Sequence, residues 1–497
     1  MSLHNRNSLE PWMHDSIRFY DHQVLGVRRM AEMRSVLLAD EMGLGKSLQT
    51  LAAFCLDIKR GMSQTMLIVC PASLKVNWYQ EIGKFTRLHR EILVGPKPKR
   101  QEQIARFREL AGPRILIVNY EQLIQHLYEL NKCRFDVATF DEAHMIKNPK
   151  ARRTKAATGL FTTRSMLLTG SPILNQVDDL YTLLNKVAPG EFEDYYRFTH
   201  RYAVFGGYRN KQVVGAKNQH ELHNRLQNVM IRRKKADVLD LPAVQYITRA
   251  VELHPKQRKY YNQVFEEMML DYGNGEKVAI GSVLTKFLRC KQICGSTATI
   301  DGIDEDNSYK LDLATIDAKQ LLDSGQKVVA FTQFRGVQEL YARRLRGYGT
   351  TKTDYPIYLI NGDVRTEPDG RAWDDPKKKW CRQEIVDIWS QNERAGIIIA
   401  TFGAAGVGLN MTAASHGQFL DKLFVPDLNQ QAVDRLHRIG ASTEQAVQIL
   451  EYIVTGTVEE RVEKINSTKK KMSSSIVDGT SWTARILREA LQEDKAA

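Results

Sequence analysis

The chain has 497 residues, 43% hydrophobic and 8% aromatic, which is ordinary for a globular protein but too long for one core, so two or three domains are expected. Its 71 Lys and Arg against 58 Asp and Glu leave a net charge of +13, a balance that suits a polyanionic partner such as nucleic acid. No apolar run nears the roughly 18–20 residues of a membrane span, and residues 1–7 lack the apolar core of a secretory signal, so a cytoplasmic protein with no membrane partner is expected. The six cysteines are scattered, and only Cys290 and Cys294 lie close together. Buried free thiols are expected rather than a zinc site or a disulfide framework.

Residues 1–17 read as a loose leader. From Ile17 to about Leu184, short apolar runs alternate with helical stretches; the runs are Val36–Ala39, Met66–Cys70, Ile115–Val118, Val137–Phe140 and Met166–Leu168. Continuous apolar strands separated by helices indicate a parallel sheet covered on both faces. The first run leads into Asp40-Glu41-Met42-Gly43-Leu44-Gly45-Lys46-Ser47, and apolar residues at helical spacing follow from Leu48 to Ile58. Strand, glycine-containing loop, Lys-Ser and helix form the context of a phosphate-binding loop, with backbone N–H groups and a helix N-terminus facing the phosphates. Lys46 is expected to reach the β- and γ-phosphates of ATP and the Ser47 hydroxyl to hold Mg²⁺, although Asp40 stands where the first glycine is usual. Asp141 and Glu142 follow another strand; Asp141 suits Mg²⁺, and Glu142 suits activation of a water. Lys46, Pro71, Asn119, Asp141 and Thr169 all fall just past strand ends, where such sheets bind ligands.

Residues from about 185 to 305 read as largely helical, with aromatics Phe192, Tyr195, Tyr196 and Phe198 and a basic stretch Ile231-Arg232-Arg233-Lys234-Lys235. The acidic, turn-rich stretch 301–308 reads as a domain junction. From about Lys310 the parallel pattern resumes in Val328–Phe331, Ile357–Ile360, Ile397–Ala400 and Leu423–Val425. Lys377-Lys378-Lys379-Trp380 lies in a polar insertion, and reads either as a nucleic-acid contact or as a solvated loop. In Gln431–Gly440 a helix is expected, with Gln431, Arg435 and Arg438 on one face and Ala432, Leu436 and Ile439 beside them. The residues from Ser467 to Ala497 read as a brace that packs back onto a lobe. The expected division is therefore 1–230, 231–307 (a helical linker), 308–466 and 467–497.

Taken in order, these stretches resemble the motifs of helicase superfamily two, specifically the Swi/Snf-like ATPases that translocate on double-stranded DNA, in their compact bacterial or phage form. Asp40 in the phosphate loop matches that family's own variant of the motif. The resemblance implies an α/β fold of two RecA-like lobes with parallel sheets and an ATP cleft between them. It implies that Gln23, within Arg18–Gln23, contacts adenine, and that Asp40, Gly43, Leu44, Gly45, Lys46, Ser47 and Gly408 surround ATP. Lys46, Asp141, Glu142, Arg435 and Arg438 are then catalytic, the two arginines acting as fingers on the γ-phosphate. His144, Thr169 and Gln431 couple nucleotide state to DNA grip, Thr169 within Leu168–Asn175. Pro71, Ser73, Asn119, Tyr120, Gln333, Phe334 and Thr401 contact DNA, and Trp78 follows the first of those segments. The implied cofactors are ATP and Mg²⁺, and the implied partner is double-stranded or branched DNA, with protein cargo on it and a monomeric motor. The expected function is ATP-driven movement along duplex DNA or remodelling of protein–DNA complexes or branched DNA. The alternatives are a strand-separating or fork-remodelling helicase and a non-catalytic, ATP-sensing scaffold.

Overall fold

The structure is a computed structural model describing residues 11–170, 177–206, 212–240, 242–273, 280–347, 355–366, 371, 375, 377–405, 408–439 and 446–473. These divide into two compact units, one running up to Leu239 and the other from Asp240 to Met472.

In the first unit the strands are β1 (Val36–Leu38), β2 (Thr65–Cys70), β3 (His89–Ile92), β4 (Arg114–Asn119), β5 (Val137–Asp141) and β6 (Arg164–Leu168), then a hairpin of β7 (Ala203–Gly206) and β8 (Gln212–Ala216), and β9 (Met230–Ile231). Seven of them form one sheet in the order β3-β4-β2-β5-β6-β1-β9, and all pairs are parallel. Every residue of β1, β2 and β6 is buried, which is why these strands read as unbroken apolar runs. Leu37, Leu67, Val69, Val118, Phe140 and Leu167 share one core with the helices on that face and with Phe192, Phe198 and Tyr202.

The second unit holds β10 (Gln245–Val251), β11 (Val328–Thr332), β12 (Ile357–Ile360), β13 (Ile397–Thr401), β14 (His416–Phe419) and β15 (Gln448–Val454). They form a six-stranded parallel sheet in the order β10-β15-β14-β11-β13-β12. The helices Pro255–Gly273 and Ile280–Gly295 pack through Tyr261, Met268, Phe287 and Cys290 against Val458 and Val462 of the last helix.

Three expectations are corrected. Leu423–Val425 is not a strand, because its polar backbone is taken by side chains: Leu423 N–H donates to Asn429 Oδ1 (2.9 Å), and Leu423 O accepts from Asn429 Nδ2 (2.8 Å) and Asn466 Nδ2 (3.0 Å). The fourth strand of that series is His416–Phe419, where Gly417 and Gln418 break the apolar run that sequence reading relies on. Within the segment read as largely helical, Gln245–Val251 is an edge strand aligned with β15 throughout its length. The acidic stretch 301–308 lies inside the second unit, where Arg344 pairs with Asp306 at 2.8 Å, and the division of the chain falls at Leu239. Most of the expected brace, residues 474–497, lies outside the described residues. All six cysteines are free and five are buried.

A buried ion pair ties the second unit together. Lys310 Nζ donates to Glu459 Oε1 (2.6 Å) and to Leu420 O (2.9 Å), and Glu459 also accepts from Val454 N–H (3.0 Å). Both side chains are almost fully shielded, so removing one partner strands the other charge in a low dielectric. Lys310→Met is expected to lower the unfolding free energy by about 3–5 kcal/mol, read as an earlier denaturant midpoint for the second unit; a shift below about 1 kcal/mol would refute the assignment.

Candidate nucleotide-binding site

β1 ends at Leu38, the loop occupies residues 39–45, and a helix runs over Lys46–Lys59. Gly43 and Gly45 have φ of 85° and 74°, left-handed values that glycine adopts without cost. At Gly45 a side chain is excluded twice, since its Cβ would collide with Gln23 Nε2. The Lys46 ammonium lies across the loop, donating to Asp40 O (2.8 Å) and Glu41 O (3.3 Å).

Two residues of the helix Asp21–Glu32 hold the loop from below. Gln23 Nε2 donates to Leu44 O (3.3 Å), and Gln23 Oε1 accepts from Tyr20 N–H (3.1 Å), so its buried amide serves both the helix start and the loop. His22 Nε2 sits 3.2 Å from Leu44 O, and burial lowers the imidazole below its usual pKa.

Register places the other candidates beside the loop. Leu38 aligns with Leu168, and Leu168 with Asp141, so the ends of β1, β6 and β5 lie side by side. Asp141 Oδ2 accepts from Trp78 Nε1–H (2.8 Å), and Oδ1 accepts from Glu142 N–H (2.9 Å). Burial, with Glu142 adjacent, pushes the Asp141 carboxyl up to about 7, against the pull of the Trp78 hydrogen bond and Lys46. Glu142 has φ 50° and ψ 51°, a left-handed conformation that is strained for a residue with a Cβ and recurs at functional sites. Its Oε2 lies 3.3 Å from His144 Nδ1. Thr169 is buried, with its N–H on Leu38 O (3.1 Å). Ser171–Ile173, Leu174 and Asn175 lie outside the described residues.

The expected DNA set divides. Pro71 precedes a short turn at Ala72–Leu74, and Ser73 within it is half-buried. Asn119 caps the helix Tyr120–Lys132, accepting from Gln122 N–H at 2.7 Å. Tyr120 is no surface contact: it is fully buried, and its hydroxyl donates to Asp141 O (2.8 Å). Trp78 is likewise buried against the site. Its spacing after the apolar strand carried no sign of an indole donor to a carboxylate on another strand.

In the second unit Thr332 aligns with Thr401, so Gln333 and Phe334 lie next to Thr401 at the ends of β11 and β13. Buried Lys291 donates to Gln333 Oε1 (2.9 Å), and Asp421 accepts from Gln333 N–H (3.0 Å); neither partner was anticipated. Gly408 has φ 74°. The expected helix through Arg438 stops at Val433, and Arg435 and Arg438 stand in the turns beyond it. The break has a physical cause. Arg435, Leu436 and His437 N–H groups bond to Ala432 and Val433 carbonyls, which tightens the chain, while Met411 N–H takes Arg435 O (3.0 Å) and Leu436 enters the core. Gln431 Nε2 and Arg438 Nε are buried without a hydrogen-bond partner among the described residues. Lys378 is held in place rather than presented to solvent, pairing with Glu384 at 3.1 Å and donating to Arg371 O at 3.0 Å.

Hard oxygen donors, Ser47 and Asp141, beside a glycine-built loop with a lysine are the donor chemistry that a nucleoside triphosphate and a small divalent cation require. No helix among the described residues is long and apolar enough to cross a membrane.

The chain is similar to several known proteins. An uncharacterized ATP-dependent helicase of Mycoplasma pneumoniae is 29% identical over 97% of this chain and 44% of its own. The mouse chromodomain-helicase-DNA-binding protein 1-like is 28% identical over 98% of this chain and 53% of its own, so the chain spans about half the length of these curated relatives. The solved Sulfolobus solfataricus SWI2/SNF2 ATPase core in complex with dsDNA matches 92% of each chain at 26% identity, with a TM-score of 0.41. The profile of the SNF2-related domain matches residues 20–298, more than half of the sequence, and the protein belongs to that Swi/Snf-like family.

Proposed function

We propose that this protein is an ATPase stimulated by duplex DNA, which spends the cycle on moving along the duplex. The observation that carries the reading is the alignment of β1, β6 and β5, which sets the Lys46 loop and the Asp141–Glu142 pair at neighbouring strand ends. The relatives support it, the Mycoplasma protein being described as an ATP-dependent helicase and the mouse protein as a helicase and DNA-binding protein.

In this reading the loop N–H groups and Lys46 hold the ATP phosphates, and Gln23 exchanges its loop bond for one to adenine. Ser47 and Asp141 would hold Mg²⁺, which when bound screens phosphate charge. Glu142 orients a water and takes its proton as the water oxygen bonds to the γ-phosphorus. The bond from that phosphorus to the β–γ bridging oxygen breaks, leaving ADP and phosphate. His144, with Nδ1 3.3 Å from Glu142 Oε2, couples that carboxylate to the grip on DNA. Arg435 and Arg438 neutralise the charge that develops on the γ-phosphate, and the unpartnered Arg438 Nε and Gln431 Nε2 are consistent with such a ligand. The surfaces at Pro71, Ser73 and Asn119 and at Gln333, Phe334 and Thr401 take alternate hold of the DNA backbone. Such contacts are largely independent of sequence.

Three outcomes test this. ATP turnover should rise strongly with duplex DNA over no DNA, and Glu142→Gln should lower it by about 10²–10⁴; equal turnover with and without DNA would sink the reading, and stimulation by forks or single strands alone would favour the unwinding alternative. Duplex affinity should fall steeply between about 50 and 200 mM salt, measured by fluorescence anisotropy. Trp78→Phe keeps the ring but removes the donor to Asp141, so half-saturating Mg²⁺ should rise about 10–100-fold with little change in thermal midpoint.

A further inference from the structure

The basic stretch read as part of a linker is wrapped around the phosphate loop. Arg233 Nε donates to Asp40 Oδ1 (3.0 Å), and Nη2 donates to Asp40 Oδ2 and to Gln49 Oε1 (2.6 Å). Arg233 Nη1 donates to His22 O, one residue from Gln23. Arg232 Nη1 reaches Ala39 O (2.9 Å) and Gly170 O (3.3 Å), joining the loop to the end of β6. The backbones zip together as well, Ala39 N–H to Ile231 O (2.7 Å) and Glu41 N–H to Arg233 O (3.1 Å), and Lys235 N–H donates to the Glu41 side chain at Oε2 (2.8 Å). Asp40 is completely buried, with that guanidinium as its counter-charge.

A second observation points the same way. Gly26 is buried within the helix Asp21–Glu32, where alanine is normally preferred by about 0.5–1 kcal/mol. A Cβ there would lie 2.7 Å from Arg233 Nη2 and would collide with Gln49 Oε1. The glycine leaves the space in which the clasp is made.

We propose that Arg233 is a positioning residue of the nucleotide site, and that Gly26, Gln49 and Asp40 exist in their present form to seat it. Asp40 in place of a glycine is then a device: the carboxylate lets a distant segment set the loop's shape, and with it the N–H cradle and the carbonyls that Lys46 grips. Because the ground-state cradle is what changes, its loss should weaken nucleotide binding more than it slows the chemical step.

The inference rests on residues 40–47 holding ATP phosphates, and the experiment separates the two. Binding of a fluorescent ATP analogue, steady-state KM and kcat with duplex DNA, and thermal midpoint are measured for Lys46→Ala, Arg233→Lys, Gly26→Ala, Arg233→Gln and Asp40→Asn/Arg233→Gln. Lys46→Ala should abolish analogue binding; retained binding would overturn the site itself. Gly26→Ala and Arg233→Lys, which keep every charge, should raise Kd and KM about tenfold with kcat within about threefold, a difference of about 1.4 kcal/mol in binding. Arg233→Gln should do worse, and Asp40→Asn added to it should recover much of the affinity by removing the stranded charge. Lower thermal midpoints with unchanged Kd and KM in Gly26→Ala and Arg233→Lys would overturn the inference, leaving the clasp a purely structural brace.

Discussion

In both sheets every strand runs the same way, and the rest of the molecule follows from that constraint. A parallel strand cannot be answered by a hairpin, so each is followed by a crossover, and every chain exit at the C-terminal end opens on one edge. Residues far apart in sequence are therefore delivered side by side. Leu38, Leu168 and Asp141 align across three strands, and Cys70 aligns with Asn119 on the next pair. Chemistry accumulates on that edge because it gathers the loops that leave the carboxyl ends of the strands.

The same edge is where charge has been taken out of water, and each buried charge is answered. Asp40 has Arg233, Asp141 has the Trp78 indole, Lys310 has Glu459, and Lys291 has a carbonyl and an amide oxygen. Such pairings add little net stability over apolar packing, but they are costly to break, so they hold geometry rather than raise the unfolding free energy. They also explain why several motif residues serve as braces. Tyr120 stands at the expected DNA edge, yet it is buried and buttresses Asp141. A residue with a second task inside the fold is poorly free to reach outward.

Much of this was legible because burial writes itself into composition. Runs such as Met66–Cys70 and Ile397–Ala400 are covered on both faces and so are apolar throughout, and glycines at positive φ mark the loop that bends around phosphate. Where the strand signal is diluted, reading fails. His416–Phe419 carries a glycine and a buried glutamine, the latter satisfied by Tyr452 and Ala314, while the more apolar Leu423–Val425 has its backbone captured by asparagines. The turn at Arg435 fails for a related reason. Helical spacing correctly marked Ala432 and Leu436 as core, but the 3.6-residue period cannot report that Met411 claims the Arg435 carbonyl.

The sequence by itself determined the parallel α/β class, the order of the motifs and the identities of the groups able to meet a phosphate, because these depend on local pattern and on side-chain chemistry. Tertiary structure alone decided which of those groups are held and by what. Arg233 reaches Asp40 across most of the first unit's length of chain, and Trp78 reaches Asp141 from another strand's helix. Pairings between distant positions leave no periodic trace: each partner obeys its own local pattern, and only the register of the sheet brings the two within hydrogen-bond reach.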